Sequence, residues 1–189
     1  IAKSQLDDVA CGRGPGAFTG VRLAVAMVQG LALALDRPAI GVSTLEVLAL
    51  PAMRELDAQG DLDSGVLAAI DARMGEVYLA DYRRNADGAW KRRGEEIVIA
   101  PAAVALSDDL PRLGVGTGFA AENAALAERL AAQLIRIDTS ALPHAADVAR
   151  LAAEAFARGE GAAPEDMQPA YLRNKVALTL AEQGKPSPV

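Results

Sequence analysis

The sequence predicts an α/β protein of two lobes, with mixed sheets flanked by helices. Three observations carry this. Short apolar runs alternate with longer helical ones near the start of the chain, the grammar of parallel βαβ units. Around residue 70, two apolar runs are separated by only a short polar turn, which makes a hairpin. About a fifth of the 189 residues are alanine, which favours helices packed through small contact residues.

Element by element, Val9-Ala10-Cys11 is an apolar strand stopped by Gly12-Arg13-Gly14-Pro15-Gly16, a cluster that no regular element tolerates. Thr19 stands where an N-cap belongs, so a helix is expected over 20–35, ended by Asp36-Arg37-Pro38. Ala39-Ile40-Gly41-Val42 reads as a strand, and Ser43 or Thr44 caps a helix to about Met53. Gly, Asp and Ser dominate 59–64, where a lobe boundary falls. This divides the chain into a first lobe (1–58), a second lobe (59–175) and a tail (176–189) that reads as helix, then disorder. In the second lobe, strands over 65–70 and 76–80 flank a turn at Asp71-Ala72-Arg73-Met74-Gly75, and a third strand covers 96–100. A short helix at 101–106, a strand at 113–115 and the Gly116-Thr117-Gly118 turn follow. A helix at 120–132, a strand at 134–137 and a helix at 144–158 complete the lobe.

Composition narrows the function. The formal charge is −6, which argues against stand-alone binding of nucleic acid, because displacing counterions from phosphates needs a Lys/Arg surface. One cysteine cannot form an internal disulfide and one histidine cannot build a His-rich metal site, so a reducing, cytoplasmic location is expected. The longest apolar stretch, 23–35, is interrupted by Gln29 and is too short to span a bilayer. No signal peptide is expected from the opening Ile-Ala-Lys-Ser-Gln, which has no apolar core before Asp7 and Asp8.

The Gly12 to Gly20 segment is the most informative. Glycines between a strand and a helix let backbone approach a ligand, and the helix N-terminus presents N–H groups to an anion. A tight turn that merely starts a helix is the plainer reading. The segment has neither a Walker lysine nor dinucleotide spacing. In the following helix, Arg22, Ala26, Gln29, Leu33 and Asp36 form the only partly polar stripe; Leu23, Val25, Met27, Val28, Leu31 and Leu35 cover the rest. Such a helix is expected to be buried on nearly every side, either within its own lobe or against a partner subunit. Ala26, Gly30 and Ala34 would let another helix come close. His144 beside Pro143 and Cys11 at a strand end read as structural. Asp71, Arg73 and Glu76 ring the hairpin turn, either solvated or in a specific contact. No HExxH, HxxxH, GxSxG or CxxC motif occurs.

Taken together, Gly12-Arg13-Gly14-Pro15-Gly16-Ala17-Phe18-Thr19-Gly20-Val21-Arg22, Gln29-Gly30-Leu31-Ala32 and Ile40-Gly41-Val42-Ser43-Thr44-Leu45 closely resemble the bacterial TsaB (YeaZ) family. Ala68-Ala69-Ile70-Asp71-Ala72-Arg73-Met74-Gly75-Glu76-Val77-Tyr78, Gly116-Thr117-Gly118 and Pro169-Ala170-Tyr171-Leu172-Arg173 extend the resemblance over essentially the whole chain. It implies an actin-like fold of the sugar-kinase/Hsp70 (ASKHA, ribonuclease H-like) type. It also implies a non-catalytic subunit in making N6-threonylcarbamoyladenosine in tRNA, with tRNA contacted only indirectly. The implied partners are a metal-holding catalytic paralogue, TsaD, and an ATPase, TsaE, with a homodimer when alone. The helix starting near Gly20 would be an interface helix, with Arg22, Ala26, Gln29, Gly30 and Leu33 facing the partner. Gly14, Gly16, Thr19, Gly20, Asp71, Gly116 and Thr117 would keep an ancestral phosphate-loop shape. No intrinsic cofactor or metal is implied, and ATP or ADP would sit at the complex interface. The family begins with a further strand hairpin and interface helix, so such a segment, which would cover an otherwise raw sheet edge, is expected ahead of Ile1 in the natural protein. The rival enzyme readings are an ATPase or sugar kinase using Asp71 and Gly116-Thr117-Gly118, and a glycoprotease-like metallopeptidase, for which the paired histidines are missing.

Overall fold

The structure is a computed structural model and describes residues 2–173; the expected tail at 176–189 lies outside them. Strand β1 (Val9–Gly12) pairs in parallel with β2 (Ala39–Val42), Val9 opposite Ala39, and α1 (Phe18–Leu35) makes the crossover. Helix α1 starts earlier than expected. Ala17 is its N-cap and gives no side-chain cap bond, so Thr19 lies inside the first turn and does not cap the helix. The chain leaves α1 through Asp36 in the left-handed region, φ 52°.

Helix α2 (Thr44–Gln59) is capped as the sequence predicts. The Ser43 Oγ accepts from the amides of Leu45 and Glu46 at 3.1 and 3.3 Å. It runs past Met53 to Gly60, which terminates it at φ 70°. The extension follows from packing: Leu45, Leu48, Ala49, Ala52, Met53 and Leu56 are all buried, and their helical spacing continues through Pro51.

Strands β3 (Gly65–Arg73), β4 (Glu76–Arg84), β5 (Trp90–Ile99), β6 (Arg112–Val115) and β7 (Leu134–Asp138) form a mixed sheet ordered β5-β4-β3-β6-β7. β3, β4 and β5 are antiparallel to one another, while β6 and β7 run parallel to β3. The first hairpin is longer than expected: Asp71 belongs to β3, and the turn tightens to Met74-Gly75. The helix expected at 101–106 is a single 3-10 turn, Pro101–Ala103. Helix α3 (Ala121–Arg129) is shorter than 120–132 because Glu122, Asn123 and Ala124 open it with positive φ. Helix α4 (Ala145–Ala157) stands where expected.

Alternation along β3 builds two cores. Val66 and Ala68 point to the face covered by Leu45, Leu48 and Leu56 of α2, and Leu67 and Ala69 to the face covered by Phe119, Leu126 and Leu130. Leu151, Ala152 and Ala155 of α4 pack on Ile40 and Val42, with Val47 of α2 among them. Residues 60–64 do join α2 to β3, but packing crosses that loop. Helix α2 covers the five-stranded sheet, and α4 covers the two-stranded one. Under the sheet end, the buried Arg112 makes two 3.0 Å bonds to the Asp81 carboxylate and one of 2.8 Å to Asp108. Arg83 shares Asp108 at 3.2 Å.

Candidate partner surface and inter-lobe cleft

Helix α1 carries apolar side chains around most of its circumference, yet only Val25, Val28 and Ala32 are buried. They pack with Ala39 and Met167. Leu23 and Met27 are each 59 % exposed, Leu31 52 % and Leu33 72 %. The expectation that this helix is buried within its own lobe is therefore corrected. One strip seats the helix on its strands, and the apolar remainder faces outward. Ala26, Gly30 and Ala34 lie among these exposed residues, and a Cβ on Gly30 would meet nothing within 4 Å. Arg22 and Gln29 instead turn to their own chain. Arg22 Nε donates to the Tyr171 hydroxyl at 2.9 Å, and Gln29 Nε2 to the Met167 carbonyl at 3.1 Å. The exposed surface is thus wider and more apolar than the Arg22 to Leu33 stripe, and Leu23, Met27 and Leu31 belong to it. At 18 residues and a mean hydropathy of 1.7, α1 also meets the length and composition of a membrane span, with 17 % of it buried. Its buried strip, Val25, Val28 and Ala32, is nevertheless fixed to protein.

Between β1, α1 and α4 runs an apolar groove of about 1200 Å³, bordered by Cys11, Ala24, Leu31 and Val148 together with Ile70 and Thr117. Among the described residues, no strand pairs with the edge of β1 opposite β2. Cys11 is half-buried there, and burial pushes its thiol up. His144 is the exposed N-cap of α4, without a side-chain cap bond. Asp147 is buried and pairs with Arg150 at 2.8 Å.

The phosphate-loop-like residues fall into two groups. Gly14 has φ 105°, and a Cβ there would lie 3.3 Å from the Ala170 carbonyl oxygen and 3.4 Å from Val21. Gly16 faces Val21 at 3.4 Å, while Thr19 and Gly20 are exposed in the first turn of α1. Across the cleft, the Thr117 Oγ accepts from the Asp71 amide at 3.2 Å. The Asp71 carboxylate is taken by Arg73, from the amide at 2.7 Å and the guanidinium at 3.1 Å. Gly116, φ 105°, packs directly on Ala69. Among the described residues, no group of three or more His, Cys, Asp or Glu side chains could hold a metal ion.

This arrangement defines an α/β protein of actin-like, two-lobed build with one exposed apolar helix face. A family model described as TsaD: tRNA N6-adenosine threonylcarbamoyltransferase matches residues 1–180. The Escherichia coli K12 "tRNA threonylcarbamoyladenosine biosynthesis protein TsaB" is 41 % identical over 179 residues, 92 % of this chain and 74 % of its own length. The Haemophilus influenzae protein of the same name is 35 % identical over 185 residues, 93 % of this chain and 74 % of its own. The solved YeaZ from Pseudomonas aeruginosa superposes with a TM-score of 0.76 at 45 % identity, covering 91 % of this chain and 76 % of that one. A second solved structure, described by its similarity to a peptidase YeaZ, gives 0.76 at 44 % identity, covering 92 % of this chain and 76 % of that one. The chain belongs to the TsaB (YeaZ) family.

Proposed function

We propose that this protein is a non-catalytic, activating subunit in forming N6-threonylcarbamoyladenosine in tRNA, pairing through α1 with a TsaD-like catalytic paralogue and working with a TsaE-like ATPase. The observation that carries the reading is the exposed apolar face of α1, Leu23, Met27, Leu31 and Leu33 around the small residues Ala26, Gly30 and Ala34. An apolar surface of this kind, with a flat small-residue centre, suits close packing of another helix. The names of its relatives support the pathway. Contact with the partner would favour the partner's competent conformation. The acidic surface leaves tRNA to the partner. The protein acts in the cytoplasm, as a homodimer when alone, and any ATP or ADP binds at the shared interface.

Reconstitution tests this. With tRNA, threonylcarbamoyl-adenylate, a TsaD-like enzyme and a TsaE-like ATPase, modified adenosine should accumulate only when the full-length protein is added. Equal yield without it would overturn the subunit reading. The kinase-like alternative predicts magnesium-dependent ATP turnover by the isolated protein, lost in Asp71→Ala; the pairing of Asp71 with Arg73 speaks against it.

A further inference from the structure

Three sequence motifs meet at one place: the glycine turn, the β3–β4 hairpin and the segment 167–173. That segment crosses from α1 to the hairpin. At its start Met167 is buried beside Val25, Val28 and Ala32, and its carbonyl accepts from Gln29. In its middle the Ala170 amide donates to the Arg13 carbonyl at 2.8 Å. Next to it, Arg22 reaches the Tyr171 hydroxyl, its guanidinium 3.7 Å from the Phe18 ring centroid and 5.4 Å from that of Tyr171. At its end Arg173 donates to the carbonyls of Ala72 and Arg73 at 3.1 and 3.2 Å and to the Glu76 carboxylate at 2.5 Å.

Both attachment points are places where backbone needs support. Arg73 and Met74 hold φ of 62° and 59°, a left-handed conformation that is strained for L residues when nothing compensates. Arg173 binds the carbonyls just where that turn begins. On the other side, Gly14 lacks a Cβ where the Ala170 carbonyl approaches. A carbonyl oxygen on that side of the turn repels a phosphate.

We propose that residues 167–173 are a latch that ties α1 and its glycine turn to the β3–β4 hairpin, so that the helix and the second sheet keep one relative arrangement. Gly14 then serves the approach of the latch, not of an anion. Glu76 is a specific contact of the hairpin. This holds whichever partner α1 takes.

A segment that only fills space contacts each end independently, whereas a latch couples them. Hydrogen exchange on the full-length protein separates the two. Arg173→Ala cuts the hairpin end. It should speed exchange about tenfold at the turn and also in the first turn of α1, where the Val21 amide bonds the Ala17 carbonyl. Tyr171→Phe removes only the bond from Arg22 and should speed exchange at the hairpin as well, by a smaller factor. Acceleration confined to the altered end in both variants, or none in either, overturns the latch. Should Arg173→Ala not fold, Arg173→Lys keeps the charge but not the fork, and the same two-ended acceleration is expected of it.

Discussion

Arg112→Met is expected to destabilise the protein by about 3 kcal/mol, the scale of breaking a buried ion pair from one side. The Arg112 side chain is 0 % exposed and Asp81 13 %, so the substitution leaves a carboxylate in a mostly dry site. Asp108 keeps Arg83 and is more exposed, which makes Asp81 the costly orphan. Pairing Arg112→Met with Asp81→Leu should recover a good part of the loss, because a filled apolar site replaces an unpaired charge. The acid side should change too. Burial raises Asp108, but the hydrogen bonds and charge of Arg112 outweigh it and hold the carboxyl below its ordinary 3.8. A carboxylate lowered in the folded state stabilises above its unfolded pKa, and that contribution is lost as pH falls through the folded one. Urea melts at pH 7 and at pH 3 should therefore differ less for Arg112→Met than for the wild type. A midpoint unchanged at pH 7 would refute the role of the pair.

Gly116→Ala is expected to cost about 3–5 kcal/mol, from left-handed strain together with overpacking. Gly116 is held at φ 105°, and a Cβ there would lie 2.4 Å from the Ala69 carbonyl oxygen and 2.5 Å from Leu48 Cδ2. Backbone on one side and a core helix on the other leave the methyl nowhere to go. Gly30→Ala is the control: it lies in open space inside α1 and should stabilise by up to about 1 kcal/mol. Thermal melts of the two variants should move in opposite directions.

Much of this fold is legible in the sequence because its local signals are strong. Ser43 ahead of a periodic run marks the start of α2, whereas its end is read too early, near Met53, because the helix continues through Pro51 to Gly60. The two apolar runs around Asp71 announce the hairpin, though not that β3 continues to Arg73, since positive φ at Arg73 and Met74 goes against their residue types. Thr19 misleads because capping depends on where the backbone leaves the turn, and it leaves at Ala17. The outward face of α1 is not legible from composition: Leu23 and Val25 look alike on paper, and only tertiary placement makes one exposed and the other buried. The cleft contacts join residues 97 to 149 positions apart, as in Arg173 with Glu76 and Arg22 with Tyr171, a separation that local pattern does not reach. The family motifs mark these residues without saying that they touch.

The central claim is that α1 is the surface on which a partner docks. Size-exclusion chromatography with light scattering tests it most directly, run on the full-length protein alone and mixed with a TsaD-like paralogue, for wild type and Ala26→Arg. Ala26 is exposed, so the variant should fold normally and carry a charge into the middle of the apolar face. The account predicts a one-to-one complex for the wild type that Ala26→Arg does not form. An elution unchanged by the paralogue, or a complex formed equally well by the variant, would contradict it.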